Sequence, residues 1–166
     1  MIQHVFQRAK ECLELDEIYV ATDDLRIYDC VQEFGGKGIM TQENHQSGTD
    51  RIAEAAEKIT LADKDIVVNI QGDQPLFQPS ILSDLIQALI KNPAIPMSTL
   101  MHKIIDDKGL HDANKVKVVA DNNGYALYFS RLPIPFNRDE KSKTTHPRSA
   151  ECGVHGYKLF DPSWIE

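Results

Sequence analysis

The chain is poor in cysteine, has no long apolar run and carries fewer positive than negative charges. Each lack closes a class of function. Cys12, Cys30 and Cys152 are its three cysteines in 166 residues. Their spacing matches no zinc-ligand pattern and an odd number closes no disulfide framework, so reduced thiols are expected. No stretch approaches the ~20 apolar residues that a membrane-spanning helix needs. Met1 is followed by a mixed segment with Gln3, His4 and Gln7, not by a basic stretch and an apolar core. No secretory signal is expected there, which leaves the cytoplasm as the default compartment and no membrane partner. The net charge of −7 disfavours a nucleic-acid partner. It still allows a small phosphorylated substrate held by a few local cations or a metal.

What is present is ordinary for a globular chain: 42% hydrophobic and 26% charged residues. The length suits one domain over residues 1–166. Ile2, Val5, Phe6, Ala9 and Leu13 recur at helical spacing and predict an amphipathic helix over residues 1–14. The chain thus starts inside a helix with no strand before it, and the domain is expected to be incomplete. Glu17–Thr22 predicts a strand, Asp24 a cap for a helix over Leu25–Phe34, and Gly35-Gly36 its end. Gly38–Thr41 is a second short strand candidate. Ser47 or Thr49 could cap a helix reaching Ile59, with Ile52, Ala55, Ala56 and Ile59 as its buried stripe. Asp65–Ile70 is a nearly continuous apolar run, as expected of a strand buried on both faces of a parallel sheet. Pro79–Ile90 predicts a helix with proline in its first turn, and Ala94–His102 a strand.

This alternation indicates an open, mostly parallel, three-layer α/β sheet. Then the pattern changes. Val116–Ala120 and Tyr125–Ser130 are β-rich and flank Asp121-Asn122-Asn123-Gly124, a strong hairpin turn signal. Residues 137–150 read as a polar, basic loop, and Gly153–Phe160 as one more strand.

Three segments could carry chemistry. A strand running into Gln71-Gly72-Asp73-Gln74-Pro75 ends where open α/β sheets bind ligands. Gly72 permits close approach, and Asp73 is an apt oxygen ligand for magnesium, although a turn aspartate at such a place is more often a helix cap. His45-Gln46-Ser47-Gly48-Thr49-Asp50-Arg51 places small residues and free backbone donors at a helix N-terminus, beside the planar cation of Arg51. It reads equally as a capping sequence with a surface arginine. Arg131, closing Tyr128-Phe129-Ser130-Arg131, could pair with a carboxylate or be a solvated edge charge. Asp23 could face the same site, whereas His4, His102, His111 and His146 form no recognisable cluster.

MIQHVFQRA, VATDD, HQSGTDRIAEA, VVNIQGDQP, NKVKVV and GYALYFSRLPIPFNRD occur in an order and spacing that resemble the CMP-KDO synthetases, the 3-deoxy-manno-octulosonate cytidylyltransferases. The likeness runs over roughly residues 1–140. It implies a Rossmann-like nucleotidyltransferase sheet with a β-hairpin dimerisation insertion at about 114–136, truncated at both ends. It implies the activation of KDO with CTP, giving CMP-KDO and pyrophosphate for lipopolysaccharide synthesis, with Mg2+ as cofactor, in a cytoplasmic homodimer. By position Ser47, Gly48, Thr49, Arg51 and Gln71 match nucleotide-binding residues, Asp73 the catalytic metal ligand, and Arg131 a catalytic residue near the sugar-acid pocket.

The family also has an N-terminal basic loop that grips the triphosphate, and a later Val-Asp-Thr segment bearing a second magnesium ligand. Neither occurs in these residues, so activity of this chain alone is expected to be impaired and its sheet edge exposed. Gln74 stands where the family has Glu, Glu151 where it has His and His155 where it has Tyr. The alternatives are another sugar-acid cytidylyltransferase of the acylneuraminate type, and a catalytically dead binding or assembly remnant.

Overall fold

A computed structural model describes residues 1–62, 64–104, 107–135 and, as backbone, 148–158. The chain divides into two compact units, Met1–Ser98 with Gly153–Glu166, and Thr99–Cys152.

The first unit opens with α1 (Ile2–Ala9), whose Val5, Phe6 and Ala9 are buried. The helix is shorter than the periodicity predicts: it stops at Lys10, and Leu13 lies 94% exposed beyond it. Strand β1 (Tyr19–Thr22) follows, then α2 (Leu25–Glu33), capped by Asp24, whose carboxylate accepts from Arg26 N. The helix ends at Gly35, whose φ of +75° falls where L side chains are strained. Strand β2 (Lys37–Met40) pairs with β1 in parallel, Tyr19 opposite Lys37 and Thr22 opposite Met40. Phe6, Val20 and Val31 form the core between these elements, with Ile2, Ile18 and Phe34 packed around them. The Phe6 and Phe34 rings meet in a tilted pair with centroids 5.2 Å apart.

Helix α3 (Gly48–Lys58) packs against β1, β2 and β3 (Ile66–Ile70). Of its predicted apolar stripe only Ala55 is fully buried. Strand β3 differs from the expected parallel-sheet strand. It pairs antiparallel with the Val154–Lys158 portion of β7 (Arg148–Lys158), and only Asn69 along it is fully buried. An antiparallel strand needs only one face covered, whatever its apolar composition. Helix α4 (Ser80–Lys91) buries Leu82, Leu85, Ile86 and Leu89. Each contributes about 1.5–3 kcal/mol by leaving water. Pro79 occupies its N-cap position, one residue before the first turn. Strand β4 (Met97–Ile104) follows.

The second unit contains α5 (Asp107–His111), a short helix not foreseen in the sequence, whose Leu110 packs on Ile104. Strands β5 (Lys117–Ala120) and β6 (Ala126–Ser130) form the expected hairpin. Its turn closes through Asp121 N donating to Tyr125 O and Gly124 N donating to Asp121 O, with Gly124 at φ +86°. Lys117 and Val118 also pair with Ala150 and Ser149 at the start of β7. Residues 148–150, read as part of a polar loop, are therefore strand. The remainder of that loop and Phe160 lie outside the described residues. The fold class is α/β as predicted. The parallel pairing lies in β1–β2, and the other registers given above are antiparallel.

Candidate active site

In the first unit, α3 is fastened to the chain leaving β1 and β2. Ser47 caps it with an extended backbone, and its hydroxyl accepts from Asp50 N at 3.2 Å. The Asp50 carboxylate accepts in return from Ser47 N at 2.9 Å and from the Ser47 hydroxyl at 2.7 Å. This is a complete capping box, which satisfies two otherwise orphaned donors. One turn on, Arg51 donates to Asp23 Oδ2 at 2.7 Å, Thr41 Oγ1 at 2.6 Å and Gln42 O at 3.3 Å. The guanidinium therefore ties together the C-terminal ends of both parallel strands. The Asp23 and Arg51 side chains are 33% and 21% exposed, between a surface pair and a buried one.

Glu54 extends the clasp. Its carboxylate accepts from Gln42 N at 2.9 Å, bonds His45 Nε2, and pairs with Lys58 at 2.6 Å. Lys58 also donates to Met40 O at 2.7 Å. Lys58 first, then His45 and the Gln42 amide, pull the Glu54 carboxyl down to about 2. The clasp thus fixes Met40, Thr41, Gln42 and His45, the path leading into the Ser47–Thr49 turn.

Residues Gln71–Gln74 form the turn after β3, closed by Gln74 N donating to Gln71 O at 3.2 Å. The Gln71 amide packs on the first residue of α3. A Cβ built on Gly48 would stand 3.3 Å from Gln71 Nε2 and 3.8 Å from its Oε1. The Ser47–Thr49 segment and Gln71, distant in sequence, thus share one place. Asp73 is exposed, and among the described residues its carboxylate makes no hydrogen bond or ion pair. Gly72 lies against Ile2, whose Cδ1 is 3.4 Å from where a Cβ would stand.

Arg131 belongs to the second unit, where its Nη1 donates to Ala113 O at 2.9 Å. An open depression in the first unit is lined by Asp23, Asp24, Leu25, Met40 and Glu43. It suits an anionic ligand poorly, because its charges are acidic and the two aspartates already serve Arg51 and Arg26. Arg26, mainly through its hydrogen bonds, draws Asp24 down to about 2.

Sequence reasoning did not assign Thr41, Gln42, Glu54, Lys58 or Lys117. The Glu54–Lys58 pair was visible as a favourable i,i+4 arrangement. The Arg51–Asp23 bond joins residues 28 apart and carries no local signal.

A family model described as "Cytidylyltransferase" matches residues 1–160. The chain belongs to the cytidylyltransferase family. It is 45% identical over 158 residues to a 3-deoxy-manno-octulosonate cytidylyltransferase of Syntrophus aciditrophicus, covering 95% of this chain and 63% of the relative. It is 49% identical, with the same coverages, to an 8-amino-3,8-dideoxy-manno-octulosonate cytidylyltransferase of Shewanella pealeana. Among solved structures it resembles a CMP:2-keto-3-deoxy-manno-octonic acid synthetase complexed with CTP, at TM-score 0.84 and 40% identity, over 95% of this chain and 63% of that one. A 4-diphosphocytidyl-2C-methyl-D-erythritol synthase from Anaerococcus prevotii, at TM-score 0.57 and 16% identity, shares the fold over 95% of this chain and 61% of its own. The chain therefore spans just under two thirds of the length of these relatives. No helix among the described residues is long and apolar enough to cross a membrane.

Proposed function

We propose that this cytidylyltransferase-family chain carries the nucleotide side of an enzyme that activates KDO with CTP, releasing pyrophosphate. The observation that carries this reading is the packing of Gln71 on Gly48, which brings the two nucleotide motifs to one point. Ser47, Gly48 and Thr49 offer backbone donors and small side chains at the α3 N-terminus, where anions and polar base edges are favoured. The Gln71 amide presents both a donor and an acceptor beside them, as a cytosine edge requires. Arg51 holds this turn in place through Asp23 and Thr41.

Mg2+ is the expected cofactor, and Asp73 fits it. The residue offers an exposed carboxylate, and no group of three or more His, Cys, Asp or Glu among the described residues could cage a metal. Magnesium typically keeps one or two carboxylates and takes its remaining oxygens from substrate phosphates and water. Bound there, it would neutralise the triphosphate. The sugar's anomeric oxygen forms a bond to the α-phosphorus as the bond to the pyrophosphate oxygen breaks. Arg131 is assigned to the sugar-acid carboxylate, which a guanidinium fork recognises well. Exposed Leu127, Tyr128 and Leu132 on the hairpin support a homodimer contact there. The assigned compartment is the cytoplasm, with no nucleic-acid or membrane partner. The greater identity to the Shewanella pealeana relative favours, as a second reading, an 8-amino-3,8-dideoxy sugar acid in place of KDO.

Calorimetric titration with CTP and Mg2+, followed by pyrophosphate release with each sugar acid, tests the proposal. Asp73→Ala should remove the magnesium dependence of CTP binding and lower pyrophosphate release by about 10²-fold or more, the usual scale for losing one transition-state charge group. Its melting temperature should not change. No CTP binding at millimolar concentration would instead favour a remnant used for binding or assembly.

A further inference from the structure

Lys117 is 1% exposed, among the largest fully buried side chains, and makes no ion pair among the described residues. Its ammonium donates to two backbone carbonyls, Asp112 O at 2.8 Å and Lys115 O at 2.9 Å. These bracket a tight turn. Lys115 N donates to Asp112 O at 3.1 Å, and Asn114 N to Asp112 Oδ1 at 2.9 Å. Within the same turn, Ala113 O accepts the Arg131 guanidinium. The register explains the convergence. Lys117 lies opposite Ser130 across the β5–β6 ladder, and Arg131 is the next residue. Two cations from neighbouring strands therefore end on one four-residue turn, one from inside and one from the surface.

Burying an ammonium is costly, and an apolar side chain of similar length would fill the space without that cost. What the ammonium adds is a further tie between the two ends of the turn, through Asp112 O and Lys115 O. We propose that Lys117 is a positioning residue for Arg131. By clamping the Asp112–Lys115 turn it fixes the Ala113 carbonyl, which sets the plane of the Arg131 fork toward a sugar-acid carboxylate. Anchoring through one Nη keeps other donors of the guanidinium available for a bidentate contact. The inference rests on the sugar-acid role given to Arg131 above.

The experiment is a double-mutant cycle on the full chain with Lys117→Met, Arg131→Met and the pair, titrating KDO and, separately, CTP. Lys117→Met should weaken KDO about ten-fold, equivalent to roughly 1.4 kcal/mol, and leave CTP affinity unchanged. In the Arg131→Met background it should cost nothing further. Additive losses, or equal weakening of CTP, would overturn the proposal. If the unmutated chain binds no KDO, the functional reading fails, and the inference is read from the Arg131 Nε–H resonance in 15N-arginine spectra. That resonance should move in Lys117→Met, and an unmoved one overturns the proposal. Should Lys117→Met not fold, the unmutated chain decides. Arg131 Nε should be as rigid by heteronuclear NOE as the β6 backbone, and free rotation there refutes the clamp.

Discussion

The segment Met40–Arg51 and the segment Gln71–Gln74 both follow strands of the first unit, yet they are held very differently. The first is fastened by side chains of α3: Lys58 on Met40 O, Arg51 on Thr41 and Gln42, Glu54 on Gln42 and His45, and Ser47 with Asp50 in the capping box. The second is closed by a single turn bond, and its Asp73 carboxylate is exposed. A surface that recognises a nucleotide by shape gains by being rigid before the ligand arrives, because less order must be imposed on binding. A carboxylate that must share a cation with incoming phosphates benefits from being uncommitted. Under the proposed function, the fastened segment would serve recognition and the uncommitted Asp73 carboxylate charge neutralisation.

The contrast can be broken on the fastened side. Arg51→Met leaves Asp23 without its cation and frees the ends of β1 and β2. The expected loss is about 2 kcal/mol in chemical denaturation, between the values for surface and buried pairs. A loss as small as that of a surface pair would show that the clasp is ornamental. Ser47→Ala removes the acceptor for Asp50 N, and should cost about 1 kcal/mol by the same measurement. The smallest effect is a slope. Glu54 is held at about 2 against an ordinary 4.5, so between those values the unfolded chain binds the extra proton. The stability from its ionised form is complete above about pH 4.5 and disappears as pH falls toward 2. Glu54→Gln should flatten acid denaturation followed by circular dichroism in that window. An unchanged slope would detach Glu54 from the clasp.

Features encoded within a few residues were legible in the sequence. Asp24 and Ser47 cap helices because a short oxygen side chain reaches the next turn, and Asp121–Gly124 turns because Gly124 alone tolerates its positive φ. Periodicity was less reliable at element ends. Leu13 fits the α1 stripe, but the helix stops before reaching it. Helix α5 escaped because five residues with a central Gly109 carry no periodic signal. The apolar run of β3 suggested burial on both faces, but composition does not report strand direction. Of the site residues, Ser47, Gly48 and Gln71 were named from motifs and come together. Arg51 was named for its charge, and its bond to Asp23 shows that this charge first serves the scaffold. Lys117 gave no warning, since a lysine in a β-rich run reads as a solvated edge.

The close approach of Gln71 to Gly48 constrains how this protein can be re-engineered. The two motifs are not interchangeable cassettes. A side chain introduced at position 48 would stand 3.3 Å from the amide at 71, which would have to give by a few tenths of an ångström. If the two positions read the base as proposed, substitutions at 48 and 71 should be coupled, and changing preference would call for varying both together.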